Sequence, residues 1–167
     1  MNIGGLLKSL SISQLFKLSL IVLSKPILFY CFTQATRRCI SISTMYFGDA
    51  HNKNNVANAF RHALWNMLII AYCLKAGKTF KNSCNWAKYI TDWHEKAFKN
   101  SELAEAMDLH NNAVGRAIMK EEFQHKKLTS IEKVVILLLK EVKKAKYIER
   151  INDLKSAEKS LVFIEYI

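Results

Sequence analysis

The stretch that decides the fold is NAFRHALWNMLIIAYC, residues 58–73. Its second half is apolar at almost every position, and a helix that is hydrophobic all round is typical of the centre of a protein. We therefore predict a central buried helix here. The polar side chains of its first half are Asn58, Arg61, His62 and Asn66. Burying each of them without a partner would cost ~1–3 kcal/mol, so they either lie at a solvated helix end or line a cavity.

The composition of the chain favours helices around this centre. The 167 residues suit one domain with its own core, and five glycines and one proline leave little material for the turns of an all-β fold. We predict a mainly α, single-domain helical bundle around the central helix, with a short two-stranded β element. Residues 1–50 are expected to form hydrophobic, basic helices that pack on a motif-bearing helical core, residues 51–167, of the same domain.

Charge and cysteine content restrict the partners and the compartment. The net charge is +11, but its excess is lysine scattered over several segments, whereas planar arginine dominates the recognition of bases and phosphates. Binding to nucleic acid is therefore the weaker interpretation, and solubility the simpler one. The four cysteines form no CxxC pair, which indicates reduced, buried thiols. A cytoplasmic protein fits, as does one exported without a cleaved signal peptide.

The N-terminal third is the most hydrophobic part of the chain. Lys17 and Lys25 interrupt residues 15–32, and Pro26 breaks a helix there, so a membrane span is not expected. No small-residue cleavage site follows the apolar run. We predict two helical pieces hinged at Pro26 that pack on the core. The alternative is a membrane-seeking amphipathic segment in which Lys8, Lys17 and Lys25 extend to the lipid surface, giving peripheral membrane association.

Two short segments could supply the β element. Residues 40–46 alternate apolar and polar side chains, which is typical of a strand. The final SLVFIEYI, residues 160–167, is rich in β-forming residues and could be an edge strand paired with it. Between them, the segment that follows residue 128 predicts a structural helix, with Thr129 and Glu132 at the spacing of a capping box.

A second helix with a polar edge is predicted over residues 84–98, CNWAKYITDWHEKAF. Its aromatic and apolar residues share one face, with His94 at the edge of that face and Glu95 on the far side. A His-Glu pair could supply a metal ligand or a general acid and base, but no second histidine gives it zinc-protease spacing. The simpler interpretation makes Glu95 a solvated side chain paired with a lysine.

A third helix, residues 101–122, carries a polar strip beside its core stripe. Ser101 is its expected N-cap, and the strip consists of Asp108, Asn111, Asn112 and Gly115. Adjacent asparagines are poor helix formers, so the strip indicates a hydrogen-bonding or metal-coordinating wall, with Gly115 admitting a ligand or another backbone. The alternative is a capping break between two shorter helices.

The three segments together resemble an uncharacterised bacterial domain family. The similarity lies in ANAFRHALWN, ITDWHE and MDLHNNAVGR, which match an R-H-A-x-W helix, a later H-E pair and an M-D-x-x-N-N-x-x-G-R motif over about residues 52–116. Members are small helical domains of unknown function, found alone or as terminal modules of secreted or polymorphic-toxin-like proteins. The matching positions are Arg61, His62, Trp65, His94, Glu95, Asp108, Asn111, Asn112, Gly115 and Arg116. The resemblance implies that the three polar strips meet.

If the strips meet, they form a site suited to hydrolysis. The candidate catalytic residues are His62, Asp108, Glu95 and His94, and the candidate substrate-binding residues are Arg61, Trp65, Asn111, Asn112 and Arg116. His62 is the expected general base or metal ligand, with Asp108 and Glu95 as its carboxylate partners. Arg61 and Arg116 would bind an anion or stabilise developing negative charge. A divalent metal is the candidate cofactor, with His62, His94 and Asp108 as candidate ligands. No Ser, Cys or Lys stands out as a nucleophile, so an activated water is expected.

The function expected from these residues is a small hydrolase acting on an anionic small molecule or lipid head group. A phospholipid or phosphodiester is the first guess, and the protein could be an antibacterial effector. The alternative is a non-catalytic helical module that binds a partner or perturbs a membrane, in which His62 is a core histidine bonded to a carbonyl or carboxylate. A second alternative is a nucleic-acid-binding protein, whose affinity would fall steeply with salt.

Overall fold

The computed structural model describes residues 10–98, 100–126, 128 and 130–166. It confirms a mainly α single domain. The helices are α1 (Ile12–Ser24), α2 (Pro26–Phe47), α3 (Val56–Lys75), α4 (Phe80–Ala97), α5 (Glu102–Phe123), α6 (Ile131–Val142) and the short α7 (Leu154–Ala157). The strands are β1 (Lys146–Tyr147) and β2 (Val162–Phe163), and 3-10 turns occupy Gly48–Asn52 and Ile151–Asp153.

Helix α3 is the centre of the domain, as its sequence predicts. It packs against α2, α4, α5 and α6, and its buried side chains run from Ala57 to Cys73 on every side of the helix. Asn55 caps its N-terminus by accepting hydrogen bonds from the backbone N–H groups of Ala57 and Asn58. Because α3 is surrounded, its polar side chains face other helices rather than solvent.

The N-terminal helices are hinged at Pro26, as predicted. Pro26 is the first residue of α2, a position that needs no backbone N–H, and the axes of the two helical segments differ by 112°. Among the described residues, no single helix has the length and hydrophobicity of a membrane span, whereas the bent pair meets that test of length and composition together. Lys8 lies outside the described residues.

The strand predicted over residues 40–46 is wrong, because α2 continues through it to Phe47. The buried side chains of α2 include Ala35, Cys39, Ile42 and Ser43. These buried positions are four, three and one residues apart, as expected for one face of a helix that packs against α3. The alternation from Ile40 onward is too short to form a strand against this longer pattern. All four cysteines are unpaired, as expected, and only Cys84 is not fully buried.

The C-terminal strand exists, but its partner differs from the predicted one. β2 pairs in parallel with β1, with Lys146 opposite Val162 and Tyr147 opposite Phe163. The 3-10 turn and α7 make the connection between them. Helix α6 begins after Ser130, whose side chain accepts a hydrogen bond from the N–H of Lys133, while Thr129 lies outside the described residues.

Helix α5 is continuous, so the predicted alternative of a break at the two asparagines is wrong. Ser101 is its N-cap, as expected, and accepts a hydrogen bond from the N–H of Ala104. Gly115 allows α5 to touch the backbone of α3: a Cβ at this position would lie 2.3 Å from the carbonyl oxygen of Ala63. The glycine therefore admits another backbone rather than a ligand, and it brings the polar strips of the two helices together.

Candidate functional site

Side chains from three helices meet in a buried cluster at the centre of the domain. His62 comes from α3, Glu95 from α4 and Asp108 from α5. His62 Nδ1 lies 3.5 Å from Glu95 Oε1, and His62 Nε2 lies 3.4 Å from Asp108 Oδ1. One donor atom from each residue lies within 4.8 Å of the other two, so the three could hold a metal ion together. We call these residues the His62 cluster.

Arg61 determines which nitrogen of His62 carries a proton. Its guanidinium Nη2 lies 3.0 Å from His62 Nε2. Since a guanidinium only donates, Nε2 must accept, and in the neutral ring the proton then sits on Nδ1. Nδ1 lies 3.5 Å from Glu95 Oε1 and makes no hydrogen bond within the described residues. Arg61 Nε is buried with no hydrogen-bond partner within the described part of the chain, so the guanidinium retains a free donor.

A chain of amides links the cluster to a second arginine. Arg116 Nη1 donates to Asn66 Oδ1 at 2.7 Å, and Asn66 Nδ2 donates to Asn112 Oδ1 at 2.7 Å. Asn112 Nδ2 then donates to Glu95 Oε1 at 3.0 Å. Both asparagines are fully buried, and Asn66 also bonds the carbonyl of its own helix. The chain holds Glu95 in place and accounts for Asn66 inside α3 and Asn112 inside α5.

The two carboxyl groups of the cluster differ in pKa. Burial works to raise the pKa of Glu95, but its contact with His62 and its hydrogen bond from Asn112 outweigh this, and the pKa lies below its usual value. Burial raises the pKa of Asp108 to about 6, although His62 acts in the opposite direction. Neighbouring carboxyl groups whose pKa values are moved apart can divide the roles of proton donor and acceptor.

His62, alone of the three cluster residues, lines a small pocket between α2, α3 and α4. The cavity is about 30 Å³, with space for about one water, and it is lined by Arg61, His62, Trp65 and His94 together with Thr36, Cys39 and Ile40. Trp65 Nε1 donates to Thr36 Oγ1 at 2.8 Å, which fixes the indole as one wall. Three of these residues belong to α2, so the N-terminal region contributes to the site as well as the motif helices.

His94 lies beside the cluster and not within it. Its ring packs between Trp65, at 4.9 Å between centroids, and Phe98, at 4.7 Å. Burial lowers its pKa to about 4, which Glu95 opposes and His62 and Arg61 reinforce. Of the predicted metal ligands, His62 and Asp108 come together, and Glu95 takes the third position in place of His94.

Asn111 and Arg116 also lie outside the cluster. The amide of Asn111 donates to the carbonyl of Val162 and accepts from the N–H of the same residue, both at 2.9 Å. This pair fixes β2 on α5, and the side chain is fully buried, away from the pocket. Arg116 is partly buried and bound to Asn66, so it acts on the cluster only through the amide chain.

Two features were missed or misjudged at the sequence level. Glu95 is buried against His62, whereas helix geometry alone favoured a solvated residue paired with a lysine; its neighbour Asp92 makes that pair instead, with Lys88. The resemblance to the domain family was the signal that identified Glu95. Thr36 and Cys39 were not predicted as pocket residues, and no local pattern in α2 marks them.

One comparison with known proteins gives a result. A family model described as a domain of unknown function, DUF6973, matches residues 19–146. This span contains α2 to α6 and every residue of the His62 cluster and of the amide chain. No curated protein and no solved structure matches the chain.

Proposed function

The chain belongs to the DUF6973 family, and we propose that it is a small hydrolase that attacks an anionic substrate with a water activated at the His62 cluster. The observation that carries this proposal is the meeting of His62, Glu95 and Asp108 from three helices within 4.8 Å. A packing core gains nothing from three buried titratable groups, since their desolvation costs several kcal/mol each unless they are fully paired. Such groups gather where protons are moved.

The polarity of the pocket supports an anionic substrate. Arg61 lines the pocket beside His62 and keeps an unused N–H. An arginine in this position would bind a phosphate oxygen and stabilise the charge that develops on it during attack. The water oxygen would bond to phosphorus, its proton would pass to the cluster, and the bond to the leaving alkoxide would break as that oxygen takes up a proton.

A phospholipid or another phosphodiester is the proposed substrate class. The cavity has room for about one water, so a large substrate would present only its phosphate at the pocket mouth while the rest stays outside. A lipid head group at a membrane surface meets this condition. Such an activity would suit an antibacterial effector, and it would place the protein at the membrane periphery.

The proposal is tested by hydrolysis of bis(4-nitrophenyl) phosphate and of phosphatidylglycerol vesicles. His62→Ala and Asp108→Asn should each lower the rate by about 100-fold or more, the usual contribution of a positioned acid or base. Matched controls are His125→Ala, an exposed histidine, and Asp92→Asn, which removes a surface carboxylate paired with Lys88. Full activity in both cluster variants would refute the proposal.

A non-catalytic, membrane-binding module is the second candidate function. It is favoured by the large apolar side chains that α1 exposes, among them Ile12, Phe16 and Leu23. In this case the cluster would serve packing alone. His62→Ala and Asp108→Asn would then lower the melting temperature while the folded remainder still binds vesicles, and no substrate would be turned over by the wild-type protein.

A further inference from the structure

The His62 cluster leaves two buried polar atoms without a partner. His62 Nε2 lies 3.0 Å from Arg61 Nη2 and 3.4 Å from Asp108 Oδ1. Asp108 Oδ1 has no hydrogen-bond partner in the described ranges, and neither has His62 Nδ1. The single lone pair of Nε2 can be given either to Arg61 or to a cation shared with Asp108, so a cation that binds here would replace the hydrogen bond from Arg61.

The burial of these groups makes the missing partners more costly. The exposed fraction of His62 is 3% and that of Asp108 is 5%, so bulk water does not screen them. Glu95 adds a second buried carboxylate 3.5 Å from His62 Nδ1, and one ligand atom of each of the three residues lies within 4.8 Å of the other two. The cluster therefore combines one imidazole with two carboxylates, against one neighbouring guanidinium that also faces the pocket.

We propose that His62, Glu95 and Asp108 bind one divalent transition-metal ion, of the Zn²⁺ or Mn²⁺ type. Imidazole nitrogen suits Zn²⁺ and carboxylate oxygen suits Mn²⁺, and three protein ligands leave a position open for water, as catalytic sites do. The inference deepens the proposed function and rests on it for its purpose, because a bound ion would lower the pKa of that water. The amide chain from Arg116 to Glu95 then acts as the outer support of a ligand.

The test measures metal binding directly, without reference to activity. Purified protein is stripped with EDTA and titrated with Zn²⁺ by calorimetry and with Mn²⁺ by electron paramagnetic resonance. We expect one ion per chain, with affinity lowered about 100-fold or more in Asp108→Asn and in Glu95→Gln. Both substitutions preserve side-chain shape, and circular dichroism checks that the variants are folded. His125→Ala, at an exposed histidine, should bind as the wild type does.

A second measurement needs no variant. X-ray absorption of the Zn²⁺-loaded wild-type protein should show one nitrogen and several oxygen ligands at ~2.0–2.2 Å. Absence of stoichiometric binding of both ions, or a ligand shell without nitrogen, would overturn the metal site. Metal binding without any hydrolysis would support the metal site and refute the hydrolase. Hydrolysis by protein that EDTA has freed of metal would support the hydrolase and show that the metal has no part in it.

A separate observation concerns the outside of α1. Ile12, Leu15, Phe16, Leu20 and Leu23 recur at helical spacing on the side opposite the buried Ile21. We call them the outer apolar face. The exposed fractions of Ile12, Phe16 and Leu23 are 88%, 64% and 78%. Apolar side chains that stay exposed contribute nothing to the hydrophobic stabilisation of the fold. Soluble monomers rarely expose a large contiguous patch of them.

The charge of the N-terminal segment favours one partner for this face. The first 48 residues contain no Asp or Glu, whereas their basic side chains are Lys8, Lys17, Lys25, Arg37 and Arg38. Lys17 is exposed on α1, and Lys25 is exposed at the hinge, where its Nζ lies over the rings of Trp86 and Tyr89. An apolar helical face with flanking lysines is the pattern of helices that lie in the surface of an anionic bilayer. We propose that the outer apolar face docks on such a lipid surface.

Docking is tested by co-sedimentation with vesicles of phosphatidylcholine, with or without phosphatidylglycerol. The double variant Phe16→Ser/Leu20→Ser should bind about 10-fold or more weakly, because two exposed side chains no longer enter the lipid. Ile136→Ser, at an exposed position on α6, is the matched control and should bind normally. Unchanged binding of the double variant would refute the proposal. A wild-type dimer in light scattering that the double variant abolishes, with no vesicle binding, would assign the face to a second copy.

Discussion

The amide groups of Asn66 and Asn112 have a fixed direction because of the two groups at the ends of their hydrogen-bonded chain. Arg116 can only donate, and Glu95, whose pKa is lowered, is ionised near neutral pH and can only accept. Each amide must therefore accept on the Arg116 side and donate on the Glu95 side. This explains why asparagine occupies both positions, since a carboxylate could not donate and an apolar residue could do neither.

The first prediction concerns Asn112→Asp, which keeps the shape and removes the donor. The new carboxylate would face Glu95 across a distance that now holds a hydrogen bond of 3.0 Å. Two buried like charges without a donor should lower the free energy of unfolding by about 3 kcal/mol at pH 7. Urea denaturation measures this loss, with Asn82→Asp at an exposed position as the control. Equal stability of the two variants would contradict the amide chain.

Gly115 supports a second prediction at the same scale. In Gly115→Ala the Cβ would meet the backbone of Ala63, which cannot move as a side chain can. We expect a loss of about 3 kcal/mol in spite of the ~1 kcal/mol that alanine gains over glycine in a helix. The exposed Ala113→Gly in the same helix should lose only ~1 kcal/mol by propensity. Thermal melts compare them, and a stabilised Gly115→Ala would show that α3 and α5 are further apart.

At the scale of elements, the sequence predicted helices well and the β element only in part. The helices are long and periodic, so α3, α5 and the hinge at Pro26 follow from local pattern and capping residues. The partner of β2 could not be predicted, because strands of two residues carry too little pattern, and β2 is also held by Asn111 of α5. The position of Glu95 likewise depends on how α4 rotates against α3, which no single helix reveals.

A third prediction follows from the attachment of β2. Asn111 supplies a donor and an acceptor to the backbone of Val162, as a neighbouring strand would. Asn111→Ala leaves both backbone groups without a partner, so amide exchange should accelerate selectively in β1 and β2 while α3 keeps its protection. Hydrogen exchange with mass spectrometry reads this out, and the exposed Asn82→Ala provides the control. Uniform acceleration across all helices would contradict a local role.

For the whole molecule, the buried groups make stability depend on pH in two opposing ways. The pKa of His94 is lowered from 6.5 to about 4 by burial, so the unfolded chain binds more protons, and stability is lost as pH falls through this window. The pKa of Asp108 is raised from 3.8 to about 6 by burial, so the folded chain binds more protons. That contribution to stability increases as pH falls from about 6 to 4.

The fourth prediction separates these two groups by removing each in turn, in the presence of EDTA. In His94→Gln the destabilisation by acid is removed, so the free energy of unfolding should fall less, or rise, between pH 7 and 4.5. In Asp108→Asn the opposing group is removed, so the free energy of unfolding should fall more steeply between pH 7 and 4.5 than it does in the wild type. The difference between the two variants over this range is at most about 5 kcal/mol, since each pH unit inside a group's window contributes about 1.4 kcal/mol. Urea titrations at both pH values measure it. Parallel pH profiles in the two variants would show that these side chains are hydrated in the folded protein, and the buried centre inferred from α3, α4 and α5 would then need to be revised.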